Sequence, residues 1–541
     1  MTSIPAFNLI DEPWIKVRRL NGEVREVSLG ELFEAAPNLR GLAGEVATQD
    51  IAILRLLEAV ILGSVRTAVP RHSDEGQALW AEWWRAGQFP HEVQSYLDRH
   101  RDRFYLLGTE APFLQVAGLH TEKGGASGLV KLIADVPDGH PYFTTRAGRE
   151  LKSLSFGEAA RWLVHCHAFD PAGIKTGAVG DSRVKGGKGY SMGYPAWAGN
   201  LGIVIAEGEN LFQTLLLNCP LTLVGDANDM PVWERAPLEA CVAEDHPIPL
   251  GPADLMTWPS RRVRLHEKDG RIVDVQISNG DRLGPQNQLV HESMSAWRKS
   301  AAQSKSARGD VYMPLLHSSE RRIWQGLAGL LLSAPGESQS AWVVKWLGEL
   351  RGDELLPAAQ KVRLRAVGIE YGPQASSISG MVDDSLHAQV AALADPVVAA
   401  AAVDAAKRAN DAVVALVNLA SNLAAASGGD TERPRARTFE LGYSLLDGPY
   451  RAWLMDLGDP SRVDDALEAW SWIARQIMLD TASRLIGDAG PLAQIGREVA
   501  QRGGTGTRQV DAALSEIWFR GALNKALGIS STSAQAQEAN A

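Results

Sequence analysis

The spacing of apolar and polar positions divides the chain into two stretches of different character. Residues 14–28 carry apolar positions on both sides of Asn21-Gly22, a pair suited to a type I′ turn, so the pattern predicts a β-hairpin. Ser28 and Glu31 follow with capping-box spacing and open a short helix. Residues 51–65 (IAILRLLEAVILGSV) are apolar on nearly every face, which predicts a core helix. Residues 78–99 read as helix bearing Trp80, Trp83 and Trp84. A second capping box, Ser155 to Glu158, opens a helix that carries Trp162, His165 and Cys166 and stops before Pro171. Residues 104–116 read as an extended, mostly buried stretch. A short strand is expected at 203–206, and a second hairpin at 263–277 around Asp269-Gly270. The polar, basic stretch 300–308 is expected to be a mobile loop. Helices follow at 321–333 and 340–350, then a turn-rich connector at 367–380.

Beyond about residue 380 the periodicity is helical and Ala-rich: 383–427, interrupted at Pro396, then 438–456, 463–487 and 508–526. Four to five such helices with Gly/Pro-rich joints predict an antiparallel bundle. Arg433, Arg435 and Arg437 then form a small basic loop between bundle helices. Strands and helices in the first part do not follow βαβ order, so the fold class is α+β. The predicted organisation is a large mixed α+β domain over 1–378, an all-α bundle over 379–527 and a small polar, disordered tail over 528–541.

Composition adds bounds. At 541 residues the chain exceeds one ordinary core. There is no run of 18 apolar residues and no basic-then-apolar start, so neither a membrane span nor a signal peptide is expected. Three cysteines (Cys166, Cys219, Cys241) make no disulfide framework, which fits a cytoplasmic protein. The net charge of −10 argues against a nucleic-acid binder taken alone. Charge is uneven, however: residues 141–200 hold eight Lys/Arg against four Asp/Glu, whereas 381–541 hold 14 against 20. A local basic patch can still meet phosphate.

That patch centres on 173–194, GIKTGAVGDSRVKGGKGYSMGY, with seven glycines and four basic side chains (Lys175, Arg183, Lys185, Lys188) against Asp181. Backbone this bare can approach another molecule closely. A P-loop is excluded, because Gly187-Lys188 is followed by Gly189 and Ser182 stands where its first glycine belongs. The dinucleotide fingerprint fails at Met192. Gly189-Tyr190-Ser191-Met192-Gly193 matches the G-x-S-x-G nucleophile elbow, so an α/β-type serine hydrolase using Ser191 is the alternative reading. The elbow needs a strand before the serine and a helix after it, whereas SRVKGGK precedes it and Pro195 follows. His165-Cys166-His167 lacks the spacing of a metal site and reads as core, so no metal or cofactor is implied.

Three further segments carry a resemblance. The string Phe7-Asn8-Leu9-Ile10-Asp11-Glu12-Pro13-Trp14-Ile15, the run Phe104-Tyr105-Leu106 with Glu110-Ala111-Pro112-Phe113-Leu114-Gln115, and Pro373-Gln374-Ala375-Ser376 resemble, in order, landmarks of the CasA large-subunit family of the type I-E CRISPR surveillance complex (Cascade). The resemblance implies a non-catalytic subunit that inspects duplex DNA for the protospacer-adjacent motif (PAM) and starts strand separation. Its implied partners are the other Cascade subunits with their guide RNA, the target duplex and a recruited helicase–nuclease, and pairing with the guide supplies the sequence specificity. By the same resemblance Lys185, Gly186, Gly187, Lys188, Gly189 and Tyr190 would meet the PAM from the minor groove. Pro373, Gln374 and Ala375 would form a strand-separating wedge. Phe143, Thr144, Thr145 and Arg146 match the loop that engages the guide-RNA end and the PAM region. The family also uses a lysine finger; Arg282 lies in about that region, an arginine in place of the lysine. Cysteine pairs that some relatives carry near this hairpin are missing, so no zinc is implied.

Overall fold

The computed structural model describes residues 7–66, 73–108, 110–122, 124–125, 128–134, 151–189, 193–219, 221–223, 227–241, 243, 246–500 and 506–530. The chain forms two compact units. The first takes Met1–Arg321, Ser333–Leu355 and Val362–Ser385; the second takes Arg322–Leu332, Leu356–Lys361 and Leu386–Ala541.

In the first unit, strands Ile15–Arg19 and Val24–Val27 pair as expected, but their turn is not type I′. Only Gly22 has positive φ (90°), and Arg19 closes the loop through both Gly22 N–H to its carbonyl (2.9 Å) and its own N–H to Glu23 (2.8 Å). That is a three-residue loop with glycine in the left-handed position. At Asp269-Gly270 both φ values are positive (54° and 75°), and strands Arg261–Lys268 and Arg271–Asn279 meet there in a true type I′ turn. Strand Leu39–Leu42 adds to the first hairpin.

Helix Ala47–Val65 is buried almost all round, as its sequence requires. Its Arg55 makes a bidentate pair with Glu292 (2.9 Å twice). Glu58, fully buried one turn on, has no hydrogen-bond partner for either oxygen among the described residues. Burial, reinforced by the charge of Glu292 and only partly opposed by Arg55, pushes its carboxyl well above the ordinary range, so it stays protonated. The segment 78–99 is two helices, not one: Ser73–Ala86 ends before Gly87 (φ 69°), and His91–Arg99 starts after Pro90. Trp80 and Trp83 are core, Trp80 stacking on Trp84 at 4.7 Å. His165 and His167 are buried, and burial drives both to about 4, so they are neutral packing groups.

Two expectations fail in this unit. The stretch 300–308 is not a loop: Ser300 caps a helix, Ala301–Ala307, by accepting from Gln303 N–H, and Arg308 ends it in the left-handed conformation (φ 55°). Nor is 367–380 a connector. It is the end of a long hairpin, Lys361–Tyr371 and Ile378–Gln389, whose first strand also pairs with Ile203–Glu207. Val362, Leu364 and Ala366 alternate inward and anchor it.

In the second unit, helix Pro396–Ser427 is central and packs against Glu432–Asp456, Val463–Asp488 and Ala512–Leu527. Its buried alanines let neighbours approach closely enough for Tyr450 Oη and Trp470 Nε1 to donate to the Ala402 and Ala405 carbonyls (2.8 and 3.0 Å). The helical run does break at Pro396: a short helix, Val390–Ala394, ends before it, and Pro396 opens the long helix in its first turn, capped by Asp395, while residues 383–389 are strand rather than helix. By length and composition the helix could cross a membrane, but more than half of its apolar window is buried in the bundle. Arg433, Arg435 and Arg437 are not on a loop; they lie in the opening turns of helix Glu432–Asp456. A small hairpin, Arg497–Ala500 with Thr507–Val510, stands between bundle helices where the sequence pattern predicts only a loop and the start of a helix. The tail beyond residue 530 lies outside the described residues.

Candidate nucleic-acid interface

The candidate interface starts at the end of one helix. Ser155 Oγ accepts from Glu158 N–H (3.1 Å) to open Phe156–Phe169, which runs buried through the first unit and stops at Asp170, just before Pro171. Asp170 is itself buried, and four groups converge on it. Lys175 Nζ lies 2.7 Å and Arg261 Nε 2.5 Å from Oδ2. Its carbonyl accepts from Arg261 Nη2 and from Ala196 N–H, both at 2.9 Å. The Ala196 bond closes residues 170–196 into a loop whose ends are clamped together. Burial opposes ionisation of Asp170, but Lys175 and Arg261 outweigh it and hold the carboxyl below its ordinary value.

Within the loop the chain doubles back on itself. Gly177 N–H donates to Gly187 (3.1 Å) and Gly189 N–H to Lys175 (2.9 Å), and Lys185 and Lys188 exchange both backbone hydrogen bonds at 3.2 Å. Gly186 and Gly187 have φ of 58° and 71°, so Lys185–Lys188 is a type I′ turn. A side chain on Gly189 would place its Cβ 2.9 Å from the Lys175 carbonyl oxygen.

The four basic residues therefore divide into two pairs. Lys175 is tied to Asp170, and Arg183 is held by the Asp181 carboxylate through Nε and Nη2, both at 2.9 Å. Lys185 and Lys188 are exposed and make no ion pair among the described residues. As a directly opposed hydrogen-bonded pair they project from the same face of the ribbon, where like charges are destabilising unless an anion lies between them.

Arg282 stands beside the exit of the loop. It is exposed, its guanidinium lies 5.5 Å from the centre of the Tyr194 ring, and a Cβ on Gly193 would come 3.9 Å from its Nη2. The backbone that presents it is pinned: Asp281 accepts from Arg262 Nη2 at 2.7 Å, and its carbonyl accepts from Trp258 Nε1 at 3.0 Å.

Pro373, Gln374 and Ala375 sit at the tip of the long hairpin. Gly372 N–H donates to Ser377 (2.9 Å), Ala375 N–H to Gly372 (2.9 Å) and Ser376 Oγ to Pro373 (2.9 Å). Gln374 and Ala375 both adopt left-handed backbone (φ 57° and 51°), a strained pair for residues with a Cβ. Pro373 and Gln374 are exposed. Just below the tip, Tyr371 Oη donates to the Phe169 carbonyl at 2.6 Å. Burial and the Asp170 charge push this phenol well above its ordinary range, so it stays a donor.

Residues 8–481 match the family described as CRISPR-associated protein Cse1. The chain belongs to that family. CasA/Cse1 of Thermus thermophilus is 29% identical over 516 residues, covering 90% of this chain and 95% of that protein. The structure of Thermobifida fusca Cse1 superimposes with a TM-score of 0.87 at 39% identity, covering 97% of this chain and 99% of that one. Cse1 from Acidimicrobium ferrooxidans gives 0.82 at 28% identity, with coverages of 97% and 99%. A chain of a structure described as a CRISPR RNA-guided surveillance complex shares the fold, at a TM-score of 0.63 and 18% identity.

In this Cse1-family chain the loop and the hairpin whose tips the sequence singled out are tied to one helix end, with Arg282 beside the loop exit, and the residues that anchor the ties were not singled out. Asp170, Arg261 and Tyr371 had no motif. The only signals were a helix stopping at Asp170-Pro171 and a tyrosine ending an alternating strand. Tyr190 and Ser191 of the loop, and Phe143, Thr144, Thr145 and Arg146, lie outside the described residues. Around Ser191 the described chain is turns before and the short 3-10 turn Trp197–Asn200 after, which is no strand–serine–helix elbow. Among the described residues no group of three or more His, Cys, Asp or Glu could hold a metal ion.

Proposed function

We propose that this Cse1-family subunit, working within Cascade without chemistry of its own, reads the PAM of duplex DNA through the Lys185–Lys188 turn and opens the adjacent base pair with Gln374. The observation that carries the reading is the exposed lysine pair held face to face across two glycines, with its other basic neighbours already neutralised. The minor groove is only about 6 Å wide, so a two-glycine tip can enter where a side-chain-bearing turn would clash. The lysines then straddle the groove and meet phosphates, and Gly189 and Arg282 extend that surface along the loop. Such contact tolerates several PAM sequences, because minor-groove readout is degenerate. Gln374, on a stiffened Pro373 turn, takes the place of a stacked base; unstacking one step costs a few kcal/mol, offset by pairing with the guide. Family membership further supports recruitment of a helicase–nuclease and a guide-facing role for Phe143, Thr144, Thr145 and Arg146.

The test is target binding by the reconstituted complex over a PAM library and a salt series. Lys188→Ala should weaken binding to all functional PAMs and flatten the slope of log K against log salt by about one. Gly187→Asp should abolish PAM-dependent binding while the complex still assembles, since it strains a backbone at φ 71° and adds an anion facing Glu122. Unchanged binding by both variants would overturn the assignment.

A further inference from the structure

We infer that Tyr371 and Asp170 are positioning residues that couple PAM contact to strand opening, by fastening the base of the hairpin and the base of the loop to one helix end. The inference rests on the proposed roles of Lys185–Lys188 and Gln374, and adds that the two elements act as one device.

The connection is short and consists of specific bonds. From Gln374 the chain runs back three residues to Tyr371, whose hydroxyl donates to the Phe169 carbonyl at 2.6 Å. The next residue, Asp170, binds Lys175 at 2.7 Å, and the Lys175 carbonyl accepts from Gly189 N–H at 2.9 Å, one residue beyond the lysine turn. Close packing makes the junction stiff: a Cβ on Gly199, a short way past the loop's end clamp, would lie 2.3 Å from Tyr371 Oη. Arg261 locks the junction from the side with one bond to the Asp170 carboxylate and others to the Asp170 and Pro171 carbonyls. Displacement of the lysine turn by DNA therefore pulls on Asp170, and the same helix end carries the hairpin. Lys175 and Arg261 both offset the buried charge of Asp170, and of the two only Lys175 lies inside the loop. The tie requires the tip and the root to move together.

The experiment uses the reconstituted complex with a duplex carrying 2-aminopurine at the first base pair beyond the PAM, and the same target pre-opened as a bubble. Tyr371→Phe keeps the ring and removes one hydrogen bond, worth roughly three- to tenfold. It should lower opening of the duplex by that factor, leave bubble binding unchanged, and combine with Lys188→Ala less than multiplicatively. Asp170→Asn should behave in the same way, with the loss of opening exceeding the loss of initial duplex contact. Equal losses on duplex and bubble, a multiplicative double variant, or wild-type opening in Tyr371→Phe would each overturn the coupling. Gln374→Ala and Gly187→Asp separate the two levels. If they also leave opening intact, the underlying reading falls and the coupling with it; if they abolish opening while Tyr371→Phe does not, the coupling alone fails.

Discussion

Two consecutive non-glycine residues in left-handed backbone at the hairpin tip make a prediction that separates stability from function. For a residue with a Cβ this conformation costs roughly 1–2 kcal/mol. Glycine avoids that cost but gives up about 0.5–1 kcal/mol through the greater freedom of its unfolded chain. Replacement of either Gln374 or Ala375 by glycine should therefore stabilise the first unit by a net of about 0.5–1 kcal/mol. Neither change disturbs the described packing, because Gln374 is exposed and Ala375 donates to Gly372 only through its backbone. In a unit this large the gain is a rise of about 1 °C in the melting temperature, within reach of calorimetry on matched samples.

Function should split the two variants. Ala375→Gly keeps the glutamine and should open the 2-aminopurine duplex as wild type does. Gln374→Gly gains the same stability and should lose opening, because the proposed wedge side chain is gone. The natural chain would then hold a glutamine where glycine is more stable, as strain kept at a working site requires. Opening retained by Gln374→Gly would refute the wedge; a fall in melting temperature for both variants would refute the strain argument.

Two further outcomes follow from buried and crowded positions. Glu58 is protonated in the folded chain and ionises once unfolded, so the native state holds the extra proton and loses stability as pH rises above the unfolded carboxyl value, at up to about 1.4 kcal/mol per pH unit. Glu58→Gln removes that dependence, and its denaturation midpoint should exceed that of the wild type by more at pH 7.5 than at pH 5.5; a constant gap would show that Glu58 is ionised in the fold. Gly189→Ala forces a methyl to 2.9 Å from the Lys175 carbonyl oxygen and should break the Gly189–Lys175 bond, speeding amide exchange through the lysine turn and weakening PAM binding, with the melting temperature within about 1–2 °C of wild type.

The parts legible in the sequence were those set by local chemistry. Ser28 and Ser155 cap helices where their spacing to Glu31 and Glu158 says they should. Asp269-Gly270 makes the turn its residues favour. The same dipeptide logic went astray at Asn21-Gly22, because strand register, not the two residues, chose a three-residue loop. The connector at 367–380 misled for a similar reason. Glycines and serines at a hairpin tip look like any loop, and the strand character lay upstream, in the alternation of Val362, Leu364 and Ala366. Alanine, glutamine and lysine at 301–307 favour helix once Ser300 caps them, and the polar composition concealed it.

The site itself was legible only as a composition. Seven glycines and four cations in an acidic chain suggest an anion cradle, and that description treats the cations as equivalent. They are not. Asp170 and Asp181 take Lys175 and Arg183 into the loop's own structure, and what faces outward is a single opposed pair. This reconciles a net charge of −10 with the proposed role on DNA. Electrostatic attraction at the scale of the whole chain would be unfavourable, so discrimination has to come from short-range contact, and short-range contact needs few charges held rigidly. The carboxylates that make the chain acidic include the ones that hold them: without Asp170 and its ties to Lys175 and Arg261 the lysine turn would be a flexible loop whose two charges repel each other apart. Glycine then matters less for what its bare backbone touches than for setting two lysines opposite one another at a tip narrow enough to use them.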